Sequence, residues 1–154
     1  MKQKRCILVV DDKPQSAVIK GIQSKLINDF DLDFIPIKTS AAEFKKDDSE
    51  ELDVNKLKAE LESQLKGRHI DIALTDFDLE CPYFTGLDVV HMVHEIRSNV
   101  DFFIYSGNWN KVIESVIGKE HQKATIEDLV GGINKLIKAH IINCIDRTDY
   151  KETL

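Results

Sequence analysis

Short apolar runs that stop on acidic side chains alternate along this chain with longer amphipathic segments. "CILVV" is followed directly by Asp11 and Asp12, and "HIDIALT" is followed by Asp76. Between these runs, apolar residues recur every three or four positions, which is the period of a helix that buries one face. Strand-length runs separated by helical segments predict βαβ units, and therefore an α/β fold with a parallel sheet.

One of the short runs contains a proline, which indicates where that strand lies in the sheet. The run "DFIPIK" has Pro36 inside it, and proline is tolerated in a sheet mainly on an edge strand. We therefore predict that the second strand, at about residues 34–38, is an edge. The first predicted strand covers residues 7–10, the third covers residues 70–75, and the fourth ends at Ser106.

The last third of the chain predicts two helices with little apolar sequence between them. The final helix begins at Thr125, where "TIED" matches a capping box, and its apolar positions continue through Ile133 and Ile137 to Ile141. We predict that this apolar stripe is chiefly core, with dimer contact as the lesser alternative. The polar segment 118–124 is the expected place of a fifth strand, which would be short and peripheral.

The composition fits one domain. The chain has 154 residues, of which 42% are hydrophobic, and no break in composition suggests a second folding unit. We predict a single domain over residues 1–154. It would carry an acidic surface loop at about residues 45–55 and a short C-terminal tail at about residues 144–154.

Charge and cysteine content argue against several kinds of partner and site. The net charge is −6 and no basic cluster is present, which argues against direct binding to nucleic acid. The three cysteines are scattered and form no C-x-x-C pair, which argues against a disulfide framework or a zinc site and fits a cytoplasmic location. No apolar run is long enough to predict a membrane span.

The acidic residues follow strands whose ends would lie at the same edge of the sheet. Open parallel sheets bind ligands in the crevice outside the carboxyl ends of their strands. Here three predicted strands end at Asp11 and Asp12, at Asp76 and at Ser106. Carboxylates gathered at one edge repel each other, and a divalent cation with oxygen ligands offsets that cost. Because Mg²⁺ is often shared with phosphate oxygens, the pattern predicts a magnesium site with phosphoryl chemistry and a carboxylate as possible nucleophile.

Three motifs in order, "VVDDKP", "IALTDFDL" with "TGLDVV", and "FFIYSGN", resemble those of a response-regulator receiver domain. The resemblance covers about residues 5–142. It implies a (βα)5, flavodoxin-like, three-layer α/β sandwich with a parallel sheet of order 2-1-3-4-5. It also implies that Asp76 is the phosphoacceptor.

The resemblance assigns further roles at the same edge. Asp12 would ligate Mg²⁺ directly and Asp11 mainly through water, together with Asp76. Asp78 falls where the family lends a backbone carbonyl to the metal. Ser106 matches the switch hydroxyl that follows the phosphoryl group.

The family also places a phosphate-neutralising lysine at the end of strand five, usually before a proline. No Lys-Pro pair is present in this chain. Lys123, just before the final helix, is the predicted counterpart, and Lys119 is the alternative.

By this resemblance the chain is a stand-alone receiver of a two-component phosphorelay. It would accept a phosphoryl group from a histidine kinase or phosphotransfer protein, with Mg²⁺, and would signal by contact with a downstream protein. It would have no enzymatic activity beyond its own phosphotransfer and dephosphorylation. A homodimer is possible, and too few residues follow the final helix for an attached output domain.

Two other functions stay open. A degenerate receiver would bind partner proteins without being phosphorylated, which the polar strand-five region favours. The other is a phosphatase resembling the haloacid-dehalogenase superfamily, because "TDFDL" is also a D-x-D strand end. In that superfamily the D-x-D strand normally comes first, whereas here an acid pair precedes it.

Overall fold

A five-stranded parallel sheet forms the centre of the molecule. The computed structural model describes residues 2–14, 16–26, 28–106, 109–139 and 141–146. The strands are β1 (Gln3–Asp11), β2 (Phe30–Lys38), β3 (Ile72–Asp76), β4 (Phe102–Ser106) and β5 (Ile141–Asp146). They pair in the order β2-β1-β3-β4-β5, which confirms the predicted α/β class and strand order. β2, which contains Pro36, is an edge strand as predicted.

In the described part of the chain, five α-helices connect the strands and cover the sheet. They are α1 (Ser16–Leu26), α2 (Val54–Leu65), α3 (Gly86–Ile96), α4 (Trp109–Ile117) and α5 (Ile126–Lys138). One core cluster joins alternate sheet residues such as Leu8 and Ile104 to the buried faces of α2 and α3. A smaller cluster on the other face joins Val9 and Leu74 to Ile22 of α1. The sheet is therefore the middle of three layers.

The position of the fifth strand was predicted wrongly. The segment 118–124 contains no strand and folds as a short 3₁₀ turn at His121–Lys123. β5 instead follows α5, so that both α4 and α5 lie between β4 and β5. The predicted helix had extended to Ile141, because apolar residues spaced by four continue across the true helix end. Ile141 instead pairs with Phe102.

The new position of β5 also changes the predicted C-terminal tail. Residues 144–146 were assigned to that tail, but they belong to β5. Residues 147–154 lie outside the described part of the chain.

The apolar stripe of α5 was also predicted wrongly, since it was expected to be chiefly core. The start of the helix is as predicted, with a capping box between Thr125 and Asp128. Five apolar side chains, however, are 39–80% exposed. They are Ile126, Leu129, Val130, Ile133 and Ile137. We refer to these five residues as the α5 stripe.

The acidic loop before α2 is folded back on itself. Lys45 and Leu52 form an antiparallel bridge, and the main-chain nitrogen of Asp53 donates to the carbonyl of Phe44 at 2.7 Å. Leu52 and Phe44 are buried. Asp53 then caps α2 by accepting hydrogen bonds from two backbone amides of its first turn, so the loop ends in a fixed position.

No helix in the described part of the chain is long and apolar enough to cross a membrane.

Candidate functional site

Three buried carboxylates meet at the carboxyl ends of β1 and β3. β1 and β3 are adjacent and parallel, and Val10 pairs with Thr75, so Asp11 and Asp76 end neighbouring strands at the same level. Asp12 follows directly. Each of the three acids offers an oxygen within 4.8 Å of the others, and their side chains are only 2–5% exposed. The predicted convergence of these acids is therefore observed.

Asp12 is the carboxylate of this cluster that has a buried oxygen without a hydrogen-bond partner among the described residues. That oxygen is the Oδ1 atom. Burial, followed by the neighbouring carboxyl group of Asp11, raises the pKa of Asp12 to about 6. An unsatisfied carboxylate oxygen beside two further carboxylates is a donor set of the kind that Mg²⁺ or Ca²⁺ takes. The residues present therefore fit a divalent cation, which Asp11, Asp12 and Asp76 would hold.

Asp11 is held by contacts from three parts of the chain. The phenol of Tyr105 on β4 donates a 2.6 Å hydrogen bond to Oδ2 of Asp11, and the main-chain nitrogen of Lys13 donates to Oδ1 at 3.2 Å. The main-chain nitrogen of Thr39 donates to the carbonyl of Asp11 at 2.8 Å. Asp11 therefore has its orientation fixed by side-chain and main-chain contacts.

Asp76 sits on a tightly packed turn. The main-chain nitrogen of Asp78 donates to Oδ1 of Asp76 at 3.2 Å, and the nitrogen of Gly86 donates to the carbonyl of Phe77 at 2.8 Å. A Cβ at Gly86 would lie 2.4 Å from the carbonyl oxygen of Asp76. Only glycine allows the start of α3 to approach the Asp76 backbone this closely.

The other two predicted site residues differ in burial. Ser106 is 3% exposed at the end of β4, one residue beyond Tyr105, which pairs with Asp76. Asp78 has an exposed side chain, and its Oδ1 accepts a hydrogen bond from the main-chain nitrogen of Glu80 at 3.0 Å. The Asp78 side chain thus stabilises its own loop, and the predicted metal contact through its backbone carbonyl stays a prediction.

A cavity of about 450 Å³ opens beside Asp12. One wall is the acidic loop, residues 45–52, and the other is the segment after β3, residues 79–83. The two walls are joined by a 2.8 Å hydrogen bond from the hydroxyl of Tyr83 to the carbonyl of Leu52. A ligand that approaches Asp12 from this side passes between these two segments.

Comparison with known proteins identifies the architecture. No protein-family model matches the sequence, and no curated protein does. Among solved structures, the signal receiver domain of an HD domain-containing protein from Pseudomonas fluorescens Pf-5 is similar to this chain, with a TM-score of 0.53 at 12% sequence identity. The match covers 98% of this chain and 88% of that domain. The fold is that of a response-regulator receiver domain.

Two further receiver structures agree with this assignment. A response regulator receiver domain protein from Clostridium thermocellum has a TM-score of 0.53 at 16% identity, over 96% of this chain and 86% of its own. A receiver domain protein from Methanospirillum hungatei JF-1 has a TM-score of 0.52 at 16% identity, over 98% of this chain and 87% of its own. The receiver fold thus extends over nearly the whole chain.

Lys123 lies just before α5 as predicted, but neither Lys123 nor the alternative Lys119 follows the fifth strand, and their role at the phosphoryl group stays a prediction. Both lysines lie between α4 and α5, whereas the fifth strand of this receiver fold ends at Asp146. Lys123 is exposed and forms an ion pair with Glu120 at 3.5 Å. Lys119 forms an ion pair with Asp128 at 2.8 Å. Neither lysine therefore follows the strand on which the choice was based.

Sequence reasoning missed Tyr105 as a residue of the site. The run "FFIYS" indicates a buried strand, and an aromatic in such a run is expected in the core. Only the pairing of Asp76 with Tyr105 shows that the phenol reaches the acidic edge. A tyrosine in place of a purely apolar residue, one position before Ser106, was the available signal, because a buried hydroxyl needs a hydrogen-bond partner.

Proposed function

We propose that this chain is a phosphorylation-dependent signalling receiver and that Asp76 is its phosphoacceptor. The proposal rests on the buried Oδ1 of Asp12, which has no hydrogen-bond partner among the described residues and lies beside Asp11 and Asp76. Hydrogen bonds compensate Asp11 and Asp76 in part, but the burial of three clustered carboxylates still costs free energy that a cation would offset. The receiver fold supports the same proposal.

In the proposed reaction, a carboxylate oxygen of Asp76 attacks the phosphorus of a phosphohistidine on a histidine kinase or phosphotransfer protein. An O–P bond forms while the N–P bond breaks, and the imidazole leaves with the electron pair of that bond and is protonated. Mg²⁺ would neutralise the carboxylates and the phosphoryl oxygens. Asp11 and Asp12 would hold the ion, and the main-chain nitrogen of Asp78 donates the hydrogen bond that orients Asp76.

Ser106 supplies the proposed readout. Its side chain is buried on the strand next to Asp76, so a hydroxyl movement toward a phosphoryl group would be transmitted to the end of β4. Phosphorylation would then shift a two-state equilibrium that a downstream protein reads. The chain would act as a signalling domain, with only its own phosphotransfer and dephosphorylation as chemistry.

We further propose that the basic residue serving the phosphoryl group is Arg147 and not Lys123 or Lys119. Arg147 directly follows Asp146 in the sequence, and β5, which ends at Asp146, is the strand next to β4. Arg147→Ala should lower the rate of phosphorylation about tenfold or more, which corresponds to the loss of one charge-assisted hydrogen bond. Lys119→Ala and Lys123→Ala should leave the rate unchanged, and a large effect at either lysine would contradict this assignment.

The test of phosphorylation is intact mass after incubation with acetyl phosphate and Mg²⁺. Wild type should gain one phosphoryl group that is labile to base, and Asp76→Asn should gain none. Asp78→Asn is the matched control, because it removes an exposed carboxylate two residues away and keeps the backbone carbonyl. Asp78→Asn should therefore be modified like wild type.

Two results would favour the other functions. If wild type gains no phosphoryl group and binds no beryllofluoride with Mg²⁺, the chain is a binding module, which the displaced fifth strand would then explain. If it turns over a phosphomonoester much faster than it loses its own phosphoryl group, a phosphatase activity is the better description.

A further inference from the structure

The α5 stripe is a continuous apolar surface on one side of a well-formed helix. Its side chains are exposed by 80% at Ile126, 39% at Leu129, 50% at Val130, 56% at Ile133 and 65% at Ile137. Single exposed apolar residues are common, but a row at helical spacing is typical of an interface. The stripe contains five of the six large apolar side chains that are exposed among the described residues.

A neighbouring side of α5 already makes the contacts that hold the helix to the domain. Gly132 is packed so closely on α4 that a Cβ there would lie 2.8 Å from Cγ2 of Ile117. Leu136 and Ala139 pack on the main core. Contacts among the described residues therefore account for this side of α5 and do not cover the α5 stripe.

The charges beside the α5 stripe indicate what covers it. Glu127 and Lys138 are both exposed. They are eleven residues apart, which is close to three turns of an α-helix. They therefore lie on the same flank of the stripe, with the negative charge at its start and the positive charge at its end.

This arrangement is self-complementary for one orientation only. When two identical helices pack antiparallel about a two-fold axis, each flank faces the same flank of the other helix. Glu127 of one copy would then lie near Lys138 of the other, and the pair would occur twice. Two parallel copies would instead bring identical charges to the same level. Along the antiparallel pair, Ile126 would face Ile137 and Val130 would face Ile133, so that apolar groups meet at these levels.

We propose that two copies of this chain associate through their α5 stripes, with the two helices antiparallel. The association needs neither Mg²⁺ nor a phosphoryl group, since none of the residues involved belongs to the acidic site. It is therefore independent of the proposed function, and either can fail without the other.

The first test is sedimentation velocity of the unphosphorylated protein over a range of concentrations, in EDTA. Wild type should convert from monomer to dimer as its concentration rises. Val130→Asp should remain monomeric throughout, because it buries an unpaired charge at the centre of the interface. Lys135→Asp is the matched control: it introduces the same side chain on the opposite side of the same helix and should dimerise like wild type.

A charge exchange tests the orientation. Glu127→Lys and Lys138→Glu should each raise the dissociation constant by about tenfold, because each replaces two attractive contacts by two repulsive ones. The double variant that carries both changes should recover most of the wild-type affinity. Circular dichroism should show the same helix content for every variant, since all the altered residues are exposed.

Three outcomes would overturn the proposal. Wild type that stays monomeric at all concentrations would mean that another protein covers the α5 stripe. A dimer unaffected by Val130→Asp would place the interface elsewhere. A dimer that Val130→Asp disrupts, but that the charge exchange does not restore, would exclude the antiparallel arrangement.

Discussion

The phenol of Tyr105 on β4 donates a 2.6 Å hydrogen bond to Asp11 on β1, although β3 lies between these two strands. The bond therefore passes across the end of β3, where Asp76 is located. It connects the strand that carries Ser106 to the acid pair, so that three strands share one polar cluster.

Removing this hydroxyl should destabilise the metal-free protein. Tyr105→Phe takes a hydrogen bond from a buried carboxylate, and the expected loss of unfolding free energy is about 1–3 kcal/mol. Mg²⁺ should restore part of that loss, because the cation is the other group that can compensate Asp11. Urea unfolding with EDTA and with excess Mg²⁺ measures both effects.

Tyr83→Phe is the matched control for that experiment. Its hydroxyl also donates one hydrogen bond, to the carbonyl of Leu52 at 2.8 Å, but no carboxylate is involved. The expected cost is about 0.5–1.5 kcal/mol, with no dependence on Mg²⁺. If Tyr105→Phe behaved like this control, the phenol would have no special role at the acidic edge.

The raised pKa of Asp12 predicts how stability changes with pH. In the metal-free protein that pKa is about 6, against 3.8 for an ordinary aspartate, so the folded state binds the proton more tightly than the unfolded state does. Stability should therefore fall as pH rises from about 4 to 6. Urea unfolding in EDTA at several pH values measures this slope, which Asp12→Asn should reduce. A slope unchanged in Asp12→Asn would assign the effect to another group.

The same pKa predicts the pH dependence of cation binding. Protons and Mg²⁺ compete for Asp12, so the rise in melting temperature caused by Mg²⁺ should be small at pH 5 and larger at pH 7. Thermal unfolding with and without Mg²⁺ at pH 5 and at pH 7 measures this rise in melting temperature. An effect of Mg²⁺ that is equally large at both pH values would argue that Asp12 is not a ligand.

Glycine to alanine changes at two positions should have opposite signs. At Gly86 a Cβ would lie 2.4 Å from the carbonyl oxygen of Asp76, and backbone cannot move aside easily, so Gly86→Ala should cost roughly 1–3 kcal/mol. At Gly131, inside α5, a Cβ meets nothing within 4 Å. Gly131→Ala should stabilise by about 0.5–1 kcal/mol, because alanine favours the helix.

Denaturant unfolding of both variants measures the difference. Gly86→Ala should also slow phosphorylation, since it shifts the proposed acceptor. Two variants that are equally stable would contradict the close packing of α3 on the turn after β3.

The α/β class and the acidic cluster could be predicted because they depend on local patterns, whereas the strand order was implied by the resemblance to receiver domains. Alternating periods predict βαβ units, and the acids at Asp11, Asp12 and Asp76 directly follow apolar runs. Parallel strands bring their carboxyl ends to one edge, so no contact had to be known in advance.

The end of α5, the exposure of its apolar stripe and the contact of Tyr105 with Asp11 could not be predicted from the periodicity of the sequence. The spacing of Ile133, Ile137 and Ile141 fits one continuous helix, yet α5 ends at Lys138 and Ile141 begins β5. The same apolar spacing is also compatible with a buried or an exposed stripe, and only packing distinguishes them. The contact of Tyr105 with Asp11 depends on the register of β4 against β3, which the strand sequence alone does not specify.

Pro36 on β2 has a consequence for the size of any assembly. An edge strand can pair with the sheet of another molecule and so generate open-ended fibres. β2 carries a proline without an amide hydrogen and the exposed acids Asp31 and Asp33, and each of these features opposes such pairing. In a dimer of two copies, the α5 stripe of each copy would be buried and could not bind a third copy. Pairing through the β2 edge is therefore disfavoured, and association through the α5 stripe is expected to be closed at two copies.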